Sequence, residues 1–380
     1  VTEAPAFSLG IEEEYLLVDP DTGDLRPAPQ GLLDDCRSVL GDRVTPEYLQ
    51  SQIEVGTSVC TNIAQARTEL TELRQVVADK ARALGVTPIS ASCHPFADWR
   101  SQHHTSKERY DQQREDMAAV ARRMVVCGMH VHIGIEDREQ RIDLMNQFTY
   151  FLPHLLALSA SSPFWRGEDT GLASYRLTVF GNMPRTGFPP RFDSFDDFER
   201  NVARLQQLDL LEDASKIWWD LRPSAHFPTI ETRICDASPR LEQTLTLAAL
   251  CQSTLRMLWR LGRQNQQWRL YDNFLLGENR WRAIRHGVTG GLIDFAQGTI
   301  RPMPELLDEW IELIAEDADA LGCLAEITAA RSMLDQGNAA EAQRATHARA
   351  RAEGQDNHQA LRTVVAALAA AFDPVPAEAG

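Results

Sequence analysis

In four apolar, strand-like runs of this chain, polar side chains stand two residues apart: Glu12 and Glu14 within residues 10–18, Gln52 and Glu54 within 51–55, His130 and His132 within 129–133, and Glu231 and Arg233 within 229–234. Side chains alternate across a β-strand, so each pair projects from a single sheet face. A face carrying carboxylates, imidazoles and a guanidinium is costly to bury unless something satisfies it. The combination is hard-cation chemistry with a fixed positive group alongside, which suits a metal–nucleotide site better than a fold-stabilising network.

Each pair has a blander reading. Glu12 and Glu14 would suit a solvated edge strand, but the flanking Phe7, Leu9, Ile11, Leu16, Leu17 and Val18 suit an inner one. Two acids so placed repel each other unless a cation intervenes. Glu13 must point to the opposite face and is read as structural. Glu54 gains weight from Glu47, seven residues earlier at the preceding bend. His-x-His is a common metal pattern, although hydrogen-bonded core histidines are more frequent. Glu231 and Arg233 would serve as an internal ion-pair strip, or as a cation ligand beside a planar donor for phosphate oxygens. Arg222, just before a connecting loop, is within reach of the same cavity. Most of the tryptophans are assigned to packing. Cys93 beside His94 looks like a nucleophile with its base, yet sequence neighbours rarely have triad geometry. No P-loop or Rossmann glycine pattern is present.

The balance of 54 acidic against 38 basic residues, a formal charge of −16, excludes an extended basic surface for nucleic acid or an anionic membrane. No apolar run is long enough to cross a bilayer, and the beginning of the chain lacks the pattern of a secretion signal, so a cytoplasmic location is expected. The seven dispersed cysteines show no Cys-x-x-Cys spacing, so buried thiols are expected.

Strand and helix signals alternate over the first third. Helices are expected over 32–40, 63–84, 107–123 and 140–160, and strands over 7–18, 52–55 and 87–92. Residues 161–193 form a long excursion, in which Ser174-Tyr175-Arg176 is expected to act as a mobile substrate lid. Residues 218–221 and 229–234 are expected to pair, and beyond Pro239 the pattern is helical to Phe372.

Several segments then match a known pattern in order: Gly10-Ile11-Glu12-Glu13-Glu14-Tyr15, Cys93-His94-Pro95-Phe96, His130-Val131-His132-Ile133-Gly134, residues 219–227 and 229–236, and Asn279-Arg280-Trp281-Arg282 through Gly287. Together they resemble the carboxylate–amine ligases of the glutamate–cysteine ligase type 2 family. The resemblance implies an α+β fold of the glutamine synthetase and guanidino kinase type: a curved, mainly antiparallel sheet with helices on its convex side. It places a catalytic domain over 1–300 and a C-terminal helical extension over 301–380. It implies an ATP-dependent ligase that forms an amide through an acyl phosphate, with guanidino phosphotransfer or metal-dependent amide hydrolysis as alternatives. By analogy Glu12, Glu14, Glu47, Glu54, His130 and Glu231 would hold two or three Mg²⁺ or Mn²⁺ ions. Five glutamates supply roughly −5 against about +6 from three such ions. Arg233 and Arg222 would contact the transferring phosphoryl group with His132 nearby, and Asn279, Arg280 and Arg285 would touch nucleotide or substrate. The partners implied are a small carboxylate and an amine, with no nucleic acid or membrane, and a homodimer is a reasonable expectation.

Overall fold

The computed structural model describes residues 4–105 and 118–373. The expected helix 107–123 falls largely outside them; its end is helical over Ala119–Arg122. The tail beyond Asp373 is also outside.

Five strands come first: β1 (Leu9–Val18), β2 (Val44–Pro46), β3 (Gln52–Gly56), β4 (Thr87–Ile89) and β5 (Met129–Gly134). Two small pairs follow, β6 (Phe164–Trp165) with β7 (Glu168–Asp169) and β8 (Thr186–Gly187) with β9 (Trp218–Trp219), then β10 (Leu221–Pro223), β11 (Thr229–Thr232) and the hairpin of β12 (Leu292–Asp294) and β13 (Thr299–Arg301). The main sheet runs β10-β11-β5-β1-β3-β2, with β4 beside the far end of β1. Every neighbouring pair in it is antiparallel. This is the mixed antiparallel architecture expected from the resemblance.

Ten-residue β1 is the centre of the molecule because its two faces do different work. Leu9, Ile11, Tyr15 and Leu17 face inward with Val131, Ile133, Ile53 and Val55, and belong to the large apolar core that also takes Leu70, Leu73 and Val77 of helix Ile63–Ala83 and Leu245, Ala248 and Leu255 of helix Leu241–Arg263. Each such leucine, isoleucine or valine, fully buried, contributes about 1.5–3 kcal/mol. On the opposite face the far end of β1 is covered as well, where Leu16 and Val18 pack with Leu361, Val364 and Val365 of the C-terminal helix Asn357–Phe372. The stretch between, around Glu12 and Glu14, is left open.

Three local expectations are corrected. Helix 140–160 is interrupted: Arg138–Phe148 and Leu152–Ser159 are joined by a 3-10 turn over Thr149–Phe151, since Pro153 has no N–H to return to the preceding turn. The pairing of 218–221 with 229–234 breaks at Asp220, whose carbonyl accepts the N–H groups of both Arg233 and Ile234 (2.8 and 3.1 Å); Trp218 and Trp219 pair instead with 186–187, and the strand opposite 229–232 is Leu221–Pro223, with Arg222 at its centre. The hairpin β12–β13 interrupts the stretch read as helical.

Candidate functional site

Register brings the four polar pairs together. Glu12 stands opposite His130, Glu14 opposite Glu54, His132 opposite Glu231, and Glu231 opposite Arg222. Directly opposed residues in an antiparallel pair lie within side-chain contact, so the polar face is continuous across five strands. It forms the floor of a cavity of about 450 Å³ that Glu47, Arg176 and Phe227 also line.

The floor has two charge regimes. At one end Glu231, 2% exposed, accepts a bidentate fork from Arg222 (Nε 2.7 Å, Nη2 3.1 Å) and a further hydrogen bond from Arg233. Burial opposes its ionisation, but the two guanidiniums outweigh that and hold its carboxyl far below the usual range. Next to it, His130 donates from Nδ1 to Glu12 (3.0 Å). Burial and the charge of Arg233 push the His130 imidazole down to about 4. Burial opposes ionisation of Glu12 as well, but the hydrogen bond from His130 and the proximity of both imidazoles draw it well below the ordinary value. His132 is anchored through Nδ1 to the Thr229 hydroxyl (3.0 Å), while its buried Nε2 has no hydrogen-bond partner and lies 3.5 Å from a Glu12 oxygen. An oriented imidazole with a spare ring nitrogen is how proteins present histidine to a metal.

At the other end, Glu14, Glu47 and Glu54 converge with only neutral donors: Gly128 N–H to Glu14 (2.7 Å), Tyr48 N–H to Glu47 (2.5 Å) and the Thr45 hydroxyl to Glu54 (3.0 Å). Among the described residues no lysine or arginine pairs with any of the three. Burial, then the charge of Glu47, pushes the Glu14 carboxyl up to about 8. Burial and repulsion from Glu47, Glu12 and Glu14 push Glu54 well above its ordinary value.

Two groups of donors could each hold an ion. Glu12, His132 and Glu231 offer ligand atoms within 4.8 Å of one another, and so do Glu14, Glu47 and Glu54. The residues fit divalent cations: three partly buried carboxylates with no ion-pair partner among the described residues on one side, and an unpartnered imidazole nitrogen between two carboxylates on the other. The two histidines differ in geometry. His132 has the converging geometry, whereas His130 lies between Glu12 and Arg233 as a neutral spacer.

The arginines also divide. Arg222 spends its donors on Glu231 and on the carbonyls of Ser215 (2.9 Å) and Ile217 (2.5 Å), which makes it a brace for Glu231. Arg233 keeps a buried, unpartnered Nε. The three positions in helix Asn273–His286 are not in the cavity lining. Asn279 exchanges two hydrogen bonds with the backbone of Ile293 (2.9 and 2.7 Å), Arg285 donates to the Gly171 carbonyl, and Arg280 grips Asp220 (2.6 and 3.2 Å). Arg280 thereby acts on the site only through Asp220, which holds the backbone of Arg233.

Residues 161–193 also depart from expectation. Asp236, fully buried, accepts from the hydroxyls of Ser162 (2.8 Å) and Ser174 (2.9 Å) and the N–H of Ser161 (2.9 Å). Arg176 then donates to the carbonyls of Ile234 and Arg233 (3.4 and 3.2 Å). The segment expected to be a lid is pinned from beneath. Its arginine fills the space above Gly128, where a Cβ would lie 2.3 Å from Arg176 Nη2. Arg176, expected in a lid, is instead a fixed cation of the cavity lining. Cys93 and His94 form no catalytic pair. His94 Nε2 bonds the Gly23 carbonyl (2.8 Å), its Nδ1 accepts from two backbone N–H groups, and burial depresses it to about 4.

The family model for glutamate–cysteine ligase family 2 matches residues 8–367. The chain belongs to that family. A Paracoccus denitrificans protein provisionally named glutamate–cysteine ligase 2 is 59% identical over 365 residues, covering 96% of this chain and 97% of the relative. A Rhodospirillum rubrum protein with the same provisional name is 52% identical, covering 99% and 98%. Among solved structures, a Francisella tularensis glutamate–cysteine ligase in complex with AMP aligns with a TM-score of 0.67 at 12% identity, over 97% of this chain and 89% of that one. A bifunctional glutathione synthetase from Pasteurella multocida aligns at 0.70 and 15%, over 96% of this chain and 52% of that one. These likenesses establish the fold. Family membership makes the chain a ligase of the ATP-dependent, C–N-bond-forming class. Among the described residues no helix is long and apolar enough to cross a membrane.

Proposed function

We propose that this chain uses ATP to activate a carboxylate as an acyl phosphate and joins it to an amine, with the γ-carboxylate of glutamate and the amine of cysteine as the first pair to test. A carboxylate is a poor acyl donor because its leaving group would be oxide. Transfer of the γ-phosphoryl group to a carboxylate oxygen releases ADP. The amine nitrogen then attacks the acyl carbon, the C–O bond breaks, phosphate leaves and the nitrogen gives up a proton.

Both reactants of the first step are anions, so the barrier is mainly electrostatic. The observation that carries this reading is the juxtaposition of a carboxylate cluster lacking countercharge with buried guanidiniums on one sheet face. Glu14, Glu47 and Glu54 would hold one Mg²⁺ or Mn²⁺ ion and Glu12, His132 and Glu231 another, supplying the positive charge that the triphosphate requires. Arg233 orients the phosphoryl oxygens with its remaining donors, while Arg222 holds Glu231 in place. His130, kept neutral, separates Arg233 from Glu12 without adding charge.

The test is ADP release across panels of carboxylates and amines with Mg²⁺ or Mn²⁺, with mass spectrometry of the product. Amide and ADP in equal amounts, only with both partners present, is the expected result. A phosphorylated guanidine, or amide hydrolysis without ATP, would overturn it. Glu12→Gln should abolish ligation in a folded protein. Arg233→Lys should lower kcat by about 10²-fold or more, because a point charge does not replace a planar fork.

A further inference from the structure

A second cavity, of about 400 Å³, lies on the other side of the short helix Arg176–Phe180. Arg176 and Phe180, four residues apart on one helix face, line the acidic cavity; Tyr175, Thr178, Val179 and Asn182 line the second. An apolar cluster of Cys93, Val126 and Val179, with Met124, Trp165, Tyr175 and Phe180 packed on it, forms the partition between them.

The chemistry of this second cavity is opposite to that of the first. Arg100, Arg123 and Arg166 line it, with Glu168 the one acidic lining residue among the described residues, in a chain whose formal charge is −16. The guanidiniums of Arg100 and Arg123 sit over the Trp99 ring (4.8 and 5.5 Å), and Trp165 packs against Tyr175 (5.3 Å between centroids). Asp98 meets Arg100 at 3.4 Å and Arg166 only at 4.0 Å. Arg123 has no carboxylate partner among the described residues. Packing against an aromatic face holds a guanidinium in position while leaving its N–H edge available for an anion. Cations gathered in a hollow attract anions more strongly than the same charges spread over a surface.

We propose that this cavity is a second ligand site, for a small aromatic anion: a planar ring carrying a phosphate or carboxylate, the anionic group against Arg100, Arg123 and Arg166 and the ring against Trp165 and Tyr175. Because the wall of the site carries Arg176, which is bonded to the backbone of Arg233, an occupant acts on the acidic cavity from behind and modulates turnover without entering it. The existence of the site does not depend on the ligase reading; only its effect on turnover does.

Calorimetric titration of the whole chain with AMP, benzoate and inorganic phosphate tests this. AMP and benzoate represent the two sources of the anionic group, and phosphate tests whether the ring is needed. Expected is one-to-one binding of AMP or benzoate, weakened at least about tenfold in Arg123→Gln and in Arg166→Gln and unaltered in Arg233→Lys, with phosphate alone weaker. Because these variants change exposed side chains, both should fold and retain basal turnover. Binding weakened by Arg233→Lys but not by Arg123→Gln would assign the ligand to the acidic cavity and overturn the proposal. So would absence of binding by both aromatic anions, or phosphate binding as tightly as they do.

Discussion

Glu13 and its neighbours Glu12 and Glu14 occupy consecutive positions of one strand, yet the two faces of β1 treat a carboxylate in opposite ways. Glu13, 1% exposed, is saturated. Arg74, itself fully buried, contacts both its oxygens, and the hydroxyls of Tyr15 and Thr244 add hydrogen bonds at 2.6 Å each. Burial opposes its ionisation, but Arg74 outweighs that and its carboxyl lies below the ordinary value. Glu14, only partly buried on the cavity floor, has one backbone donor and two acidic neighbours, and its carboxyl is raised. The more deeply buried acid of the two is thus the one that stays ionised. What distinguishes them is whether the fold itself supplies the countercharge.

That contrast can be broken most forcefully at Arg74. Arg74→Ala leaves Glu13 buried and unpaired and should cost about 3–5 kcal/mol in urea unfolding; a loss below about 1 kcal/mol would mean that Glu13 is not structural. A smaller effect is expected at Gly128, where Arg176 fills the space a Cβ would need. Gly128→Ala should cost about 1–3 kcal/mol and lower kcat as Arg176 is displaced, whereas unchanged turnover would remove Arg176 from the site. The smallest effect has the reverse sign. Glu54→Gln removes one of three mutually repelling carboxylates, so the metal-free protein should be unchanged or stabilised, by less than about 1 kcal/mol, while divalent-ion binding measured by calorimetry weakens.

The pH dependence sharpens the same comparison. Glu14 and Glu54 titrate higher folded than unfolded, so the folded state holds more protons. Their contribution is fully present below the ordinary carboxylate value near 4.5 and is lost as pH rises through their raised folded values, about 8 for Glu14. Glu12, Glu13 and Glu231 have lowered values, and their contribution is present above that value and lost on acidification. The buried imidazoles of His94, His130 and His154, all depressed to about 4, act in the opposite direction below the ordinary histidine value near 6.5. Stability of the metal-free protein should therefore decline between about pH 6.5 and 8, where only the raised carboxyls titrate strongly, and Mn²⁺ should suppress the decline. Urea unfolding with chelator and with Mn²⁺ measures both, and a decline that Mn²⁺ leaves unaltered would argue against a cation at Glu14 and Glu54.

Much of the site was legible in the chain because strand alternation is a local rule. The pairs 12/14, 130/132 and 231/233 share a face whatever the rest of the fold does, and Glu13 must oppose them. The motif in helix Asn273–His286 was legible as a motif but not as a location, since Asn279 and Arg285 bond to local backbone and Arg280 to Asp220. The lid expected at Ser174-Tyr175-Arg176 failed for a similar reason. A segment rich in small and polar residues looks loose in one dimension, and only its meeting with Asp236, about sixty residues later, pins it.

The order of residues by itself determined which side chains share a face, the net acidity, and the family, because alternation, charge and motif spacing are properties of the chain alone. Tertiary structure decided which histidine converges with Glu12 and Glu231, which arginine retains unused donors, and that Arg176 belongs to the site. Those outcomes depend on cross-strand register and on contacts between residues far apart in sequence, where a shift of a few ångströms decides whether a charge is satisfied or left for a ligand.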